Sequence, residues 1–426
     1  MTSFQWPHRP VITGLGFISS IGNDAPTVLE ALRTQRSGVE RFQFLPEDTA
    51  PVKVVGTVKE FDLYSDTWTL WKVPERFAVR REFLRSLPPH GVYAVCALNE
   101  ALADAGLQPE DLADDQTALF AASAGSPFLM HQNLNLMYQT KGRRGNPLGV
   151  VSSVSGTLNF NLGAYFGFRG SNLGFVSACT SSTHAIGYAI DAIRMGRSKR
   201  VVVVGAEDCT ADSILPFAAM RALSQKLDST ASRPWDKSRD GFVGTGGAAV
   251  VIIEAADEAQ ARGAKPYAEL LGWGQTADGY SLAAPAPDGL HLARAMQLAL
   301  DDAKTSLADV SWIHAHATST PTGDIAEAKA IERLLADGPP CPPVVSTKGL
   351  TGHGLSMAGA FEVGMCALTM RHRLRPGNAH LNEVDPDCAA LNLPREPEEA
   401  ESRVILKNNC GFGGSNVSIV LGAPVL

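Results

Sequence analysis

Apolar and polar positions alternate between two periods along this chain, and the switching sets out a regular order of elements. Residues 11–20 (VITGLGFISS) read as a buried strand running into a glycine turn. Residues 24–32 read as a helix with Asp24 and Pro26 at its start. Residues 41–90 carry no period and look like an insertion, with Trp68, Trp71 and several arginines. A strongly patterned helix is predicted over 91–107, closing at Gly106, and a strand over 117–124. A basic, glycine-flanked turn follows at 141–146, then a small-residue helix over 151–166. The run of β-branched residues at 200–207 predicts a strand covered on both faces, and 246–254 is a second one. After a polar break near 255–265 the style repeats. Strands fall at 267–273, 310–315, 344–346, 403–408 and 416–421, with helices at 288–305, 324–335 and 358–370. This alternation predicts a layered α/β fold, although no repeat is visible between the halves.

Composition narrows the class. The 426 residues are 45% hydrophobic and 19% charged, enough for one large domain or two smaller ones. A formal charge of −7 without a Lys/Arg run argues against nucleic acid as a partner. Seven cysteines without CxxC spacing fit a reducing compartment. The polar start, residues 1–10, has no apolar signal segment, and the longest apolar run, near 246–253, is too short to span a bilayer. The expectation is a cytoplasmic protein. Gly14 and Gly16 do not make a dinucleotide loop, because the third glycine would fall at Ser19.

Chemistry concentrates at four strand ends. In FVSACTSSTHAIGYAIDAIR (175–194) an apolar strand gives way to small residues and then to a helix, with Cys179 at the junction. A thiol beside unpaired helix N–H groups is expected to favour its thiolate. In HAHATSTPTGDIAE (314–327) a strand ends at histidine, hydroxyls fill the turn and acids open the next helix. STKGLTGHGLSMAG (346–359) sets Lys348 five residues before His353, and NNCGFGGSN (408–416) is a glycine-dense turn between strands. Such strand ends are where α/β sheets build their sites. The spacing fits no metal set.

Together SACTSS (177–182), HATSTPTGD (316–324), STKGLTGH (346–353) and CGFGGSN (410–416) resemble the four signature blocks of the β-ketoacyl-acyl-carrier-protein synthases. VITGLGFISSIGN (11–23) and RDGFVGTGGAAVVIIE (239–254) extend the resemblance over nearly the whole chain. It is to the elongating Cys-His-His branch, types I and II, rather than to the initiating type III. The resemblance implies a thiolase-like fold, two similar α/β halves in a layered αβαβα arrangement. Residues 1–257 would carry the nucleophilic cysteine and 258–426 both catalytic histidines. It implies a decarboxylating Claisen condensation. An acyl chain on Cys179 would be extended by malonyl-acyl-carrier protein, in fatty-acid or related polyketide or aryl-polyene elongation.

Under that resemblance the backbone N–H groups of Cys179 and Phe412 form an oxyanion hole, and His316 and His353 donate to the enolate. Lys348 acts near His353 and pairs with Glu327. Thr318 and Thr320 bind the phosphopantetheine arm, and Phe242 and Phe412 gate the thiol. No metal or resident cofactor is implied, since phosphopantetheine arrives on the carrier protein. Arg81, Arg85, Lys141, Arg143 and Arg144 are the candidates for docking that acidic carrier. A homodimer is implied, with the 150–170 segment at its interface, or a heterodimer with a related subunit.

Three positions depart from the family's pattern: Ala317 stands for a glycine, Cys410 for the first Phe of FGFGG, and Ser356-Met357-Ala-Gly359 for GAAG. They are expected to reshape the pocket, towards an aryl or polyunsaturated chain for example. Cys410 also resembles the second catalytic cysteine of CoA-dependent, non-decarboxylating thiolases, but the intact histidine blocks argue against that chemistry. A chain-length-determining partner subunit would lack the nucleophile, and Cys179 is present.

Overall fold

The computed structural model describes residues 6–45, 52–65, 67–77, 79–336 and 338–425. Ten strands make one mixed sheet. They are β1 (Pro10–Ile18), β2 (Thr117–Ala122), β3 (Asn172–Phe175), β4 (Arg200–Glu207), β5 (Gly247–Ala255), β6 (Ala268–Ala277), β7 (Trp312–His314), β8 (Val344–Val345), β9 (Val404–Gly411) and β10 (Ser415–Gly422). Five helices matter for the site: α1 (Pro89–Ala105), α2 (Ser181–Arg194), α3 (Leu290–Ala303), α4 (Pro321–Leu335) and α5 (Ala358–Arg371).

The strand order is β3-β2-β4-β5-β1-β6-β10-β9-β7-β8. Outward from the central β1–β6 pair both halves run in the same order, β1-β5-β4-β2-β3 on one side and β6-β10-β9-β7-β8 on the other. Directions match as well. β2 is parallel to β3 and β4 while β5 is antiparallel to its neighbours, and β7, β8, β9 and β10 repeat this. The halves touch edge to edge only where Val11 and Ile12 face Glu269 and Ala268.

Period-two alternation sorts each strand between two cores. Val201 and Val203 of β4 and Ile405 of β9 point to an inner core with Ile186 and Ile190 of α2 and Phe361 and Met365 of α5. Val202 and Val204 face an outer core under α1. Leu406 and Val420 face another under α3 and α4. Helices therefore lie outside each half and between the halves, which is the five-layered αβαβα arrangement that the motifs implied. The continuous apolar run of β4 is explained by this double cover.

Two local expectations change. The helix expected over 151–166 is two helices, Gly149–Ser153 and Leu158–Phe166, broken around Gly156 at φ +80°. The insertion at 41–90 contains a short ribbon strand, Val54–Gly56, paired with Val39–Arg41. No helix among the described residues is long and apolar enough to cross a membrane.

Helix α2 seats its glycine against the second half: a Cβ at Gly187 would lie 2.3 Å from the Trp273 ring of β6. Gly187→Val is therefore expected to cost about 1–3 kcal/mol through overpacking. A urea titration measures it, and an unchanged midpoint would contradict this packing.

Candidate active site

Cys179 is delivered by a strained turn. β3 ends at Phe175, α2 begins at Ser181, and Ala178 just before Cys179 adopts φ 52°, unusual for a residue with a Cβ. Ser181 holds the turn by accepting from the Ser177 N–H (2.8 Å) and donating to the Ala178 carbonyl (2.6 Å). From the second half come His316, just past β7, and His353, whose N–H donates to the Val243 carbonyl at 2.7 Å. The β9–β10 turn completes the wall: a Cβ on Gly411 would lie 3.2 Å from the Cys179 nitrogen.

These groups line one cavity of about 420 Å³ together with Phe242, Ala317, Thr318, Thr320, Glu327, Cys410 and Phe412. His353 Nε2 lies 3.0 Å from Cys179 Sγ. The Cys179 sulfur and one nitrogen each of His316 and His353 are mutually within 4.8 Å. The two imidazoles stand perpendicular, centroids 5.2 Å apart. Phe242 meets His353 edge-on at 5.4 Å, and Phe217, which the sequence did not single out, bridges Phe242 and Phe412.

Electrostatics depart from the expected thiolate. Burial pushes the Cys179 thiol up to about 12, against the opposing pull of Lys348 and a hydrogen bond from the Phe412 N–H. Desolvation outweighs the helix terminus here, so the resting sulfur keeps its proton. Burial likewise brings His353 down to about 3 and holds His316 well below the usual histidine range, with Lys348 acting in the same direction on both. The site therefore rests as a neutral thiol beside two neutral imidazoles.

The expected Lys348–Glu327 pair is not formed. Lys348 pairs with Glu362 of α5, which also accepts from Lys407 Nζ at 2.6 Å. Burial works against the Glu362 carboxylate, but the two lysines hold it well below the ordinary range. Glu327 instead reaches back along α4 to the histidine turn, accepting the N–H groups of His316 (2.9 Å) and Ala317 (2.7 Å). It fixes the backbone that carries His316. Asn409 touches His316 Nδ1 at 3.1 Å. Glu362, Lys407 and Asn409 all escaped the sequence reading. The available signal was a lone charge inside an apolar element, Glu362 in a helix buried from Ala358 to Met370 and Lys407 following Leu406 in β9.

Of the three departures, Ala317 and Cys410 line the cavity. Ala317 lies outside the left-handed region, so its methyl is accommodated. Met357 instead packs into the inner core and is no part of the wall. Ser356 spends its hydroxyl on the buried Glu207 carboxylate. Thr318 and Thr320 share a hydroxyl contact of 3.1 Å at the cavity wall. The docking candidates lie elsewhere: Arg81, Arg85, Lys141, Arg143 and Arg144 are exposed. Arg85 borders a second groove, of about 930 Å³, with Trp68, Trp71, Asn146 and Leu148.

Comparison with known proteins agrees with this geometry. The family model described as "Beta-ketoacyl synthase, N-terminal domain" matches residues 8–259, and "Beta-ketoacyl synthase, C-terminal domain" matches 267–382. The chain is 34% identical to 3-oxoacyl-[acyl-carrier-protein] synthase 1 of Escherichia coli (strain K12), over 97% of this chain and 98% of that protein. A β-ketoacyl synthase from Burkholderia phymatum STM815 superposes with a TM-score of 0.88 at 30% identity, covering 98% of this chain and 100% of the other. The ishigamide ketosynthase/chain length factor gives 0.88 at 28% identity with the same coverage.

A neutral resting thiol has a kinetic signature. Alkylation of Cys179 by iodoacetamide should rise about tenfold per pH unit from pH 7 to 9 without a plateau, as thiolate fraction does far below a pKa. A plateau within that range, read by peptide mass spectrometry, would mean that the thiolate is already present.

Proposed function

The chain belongs to the β-ketoacyl synthase family, and from that membership we propose how its own residues carry out the family's reaction. It is an acyltransferase, a 3-oxoacyl-[acyl-carrier-protein] synthase acting on carrier-bound substrates by decarboxylating condensation. The observation that carries the reading is the triangle of Cys179 sulfur and two imidazole nitrogens within 4.8 Å in one cavity.

In the first half-reaction Cys179 attacks the acyl thioester. Its proton passes to His353 Nε2 at 3.0 Å and then to the departing carrier thiolate. The oxyanion forms against the N–H groups of Cys179 and Phe412; each such donor is worth about 3–4 kcal/mol of barrier. In the second, malonyl-carrier protein enters and loses CO2. The electron pair left behind becomes an enolate whose oxygen is held by N–H donors on His316 and His353, the latter after its ring moves the proton from Nδ1 to Nε2, the nitrogen left bare by the first half-reaction. The enolate carbon then attacks the Cys179 thioester, forming the new C–C bond and expelling the sulfur as thiolate, which takes one proton from solvent to return to the thiol. Neutral imidazoles suit this role, because each keeps one N–H without presenting a full charge that would trap the carboxylate. Thr318 and Thr320 hydrogen-bond the pantetheine arm, and Phe242 and Phe412 move aside to admit it. Lys348 and Glu327 act on the histidines from behind, through Glu362 and the turn backbone respectively. The small Cys410 side chain in the cavity wall, where the family's pattern has Phe, supports an acyl chain bulkier than a plain saturated one.

The partner is an acyl carrier protein, delivered to the exposed basic residues Arg81, Arg85, Lys141, Arg143 and Arg144. A second subunit, identical or related, is supported by the edge strand β3, whose outer side is unpaired and flanked by exposed Leu173, Val176 and Phe160. All seven cysteines are free thiols, which supports a reducing, cytoplasmic compartment.

Intact-protein mass spectrometry with saturated, polyunsaturated and aryl acyl-carrier proteins tests the assignment. Wild type should gain one acyl group and Cys179→Ala none; an acylated Cys179→Ala protein refutes the nucleophile. Reversing Arg81 and Arg85 to Glu should raise the apparent KM for carrier protein about tenfold while leaving kcat unchanged. An unaltered KM removes both residues from the docking surface.

A further inference from the structure

Behind His316 lies a chain of buried polar groups, two of which, Lys407 and Asn409, have no role in the mechanism above. Lys407 is completely buried on β9, and its ammonium sits among oxygens: Glu362 Oε2 at 2.6 Å, Asn409 Oδ1 at 2.7 Å and the Asn408 carbonyl. Lys348 occupies the other oxygen of the same carboxylate. Two lysines thus share one carboxylate beside His316; burial works against the Lys407 ammonium, and Glu362 opposes that pull.

Asn409 connects that cluster to the reaction. Its Oδ1 accepts from Lys407 and from Thr183 Oγ1 (2.6 Å), while its Nδ2 donates to Glu362 Oε2 (3.0 Å) and faces His316 Nδ1 at 3.1 Å. Side-chain amides can be turned over, but here charge decides the orientation. Reversed, the amide would point its NH2 at an ammonium and its oxygen at a carboxylate, two repulsions in a buried place. With the amide so held, His316 Nδ1 receives an N–H and must present a lone pair. The proton of the neutral ring then belongs on Nε2.

We propose that Lys407 and Asn409 are positioning residues that lock His316 as a permanent Nε2–H donor, through the ammonium-fixed amide. The proposal rests on the reading of His316 as a donor to the enolate. It also explains why a Cys-His-His triangle with metal-binding dimensions serves as an acid–base site: a proton occupies the nitrogen that a metal would need.

Neutron crystallography of the perdeuterated wild-type protein reads the lock directly. Deuterium is expected on His316 Nε2 and three deuterons on Lys407 Nζ; deuterium on His316 Nδ1 overturns the proposal without recourse to any variant. Asn409→Asp supplies the kinetic arm, because a carboxylate demands an N–H from Nδ1 and so reverses the tautomer. Malonyl decarboxylation should fall about 100-fold or more, the usual loss for one oxyanion donor, while acyl loading of Cys179 persists by mass spectrometry. Decarboxylation within threefold of wild type, with deuterium still on Nε2 in the variant, also overturns the lock. If the tautomer reverses and decarboxylation is nevertheless retained, the lock stands and the donor role of His316 fails. Lys407→Ala adds a rescue test: methylammonium should restore decarboxylation at least tenfold, and restoration by an uncharged amide of equal size would argue against a charge-fixed orientation.

Discussion

The buried carboxylate of Glu362 is the constraint on which the site depends. A charge this deep is tolerated only when it is fully paired, and breaking such a pair costs about 3–5 kcal/mol. Glu362 meets that demand with Lys348 from the segment preceding His353 and Lys407 from the strand leading to the Phe412 turn. Three elements that are distant in sequence are thereby drawn to one point. Each carries part of the chemistry: α5 the anion, the 346–353 loop a histidine, and β9 the turn whose N–H faces the sulfur. Desolvation that would be a liability elsewhere serves the reaction here, because the same surroundings keep both imidazoles uncharged.

Fold and site are linked through the repeated strand order. Because both halves run β1-β5-β4-β2-β3 and its counterpart, corresponding strand ends come together around the inner helices. The first half contributes one presented atom, the sulfur on a left-handed turn at Ala178. The second contributes both histidines and the polar groups that orient them. Helix α2, which follows Cys179, packs on β6 of the opposite half, so the sulfur is placed by contacts that cross between halves.

Much of this was legible in the chain. The strands and helices followed from periodicity because most are long and bury one or both faces. Cys179, His316 and His353 stood out because each lies in a turn of small residues at a strand end. Two things were not legible. The partner of Lys348 is not the motif acid Glu327 but Glu362, which is nearer in sequence yet sits in the middle of an apolar helix outside the recognised motifs. The break at Gly156 falls among Val154, Ser155 and Thr157, all weak helix formers, where the glycine leaves helical backbone. The state of the sulfur also ran against local reasoning, since burial is a property of the assembled fold and not of the helix terminus.

The shared inner core has a consequence for how the protein is made. Ile12, Phe17 and Val203 of the first half are covered by Phe361, Met365 and, with them, Ile419 and Leu421 of the second. A ribosome therefore releases the first half with an apolar inner sheet face that α2 covers only in part. It also releases β1 with an edge waiting for β6. Completion of that core must wait for α5, β9 and β10, so part of this face stays uncovered until the second half is made.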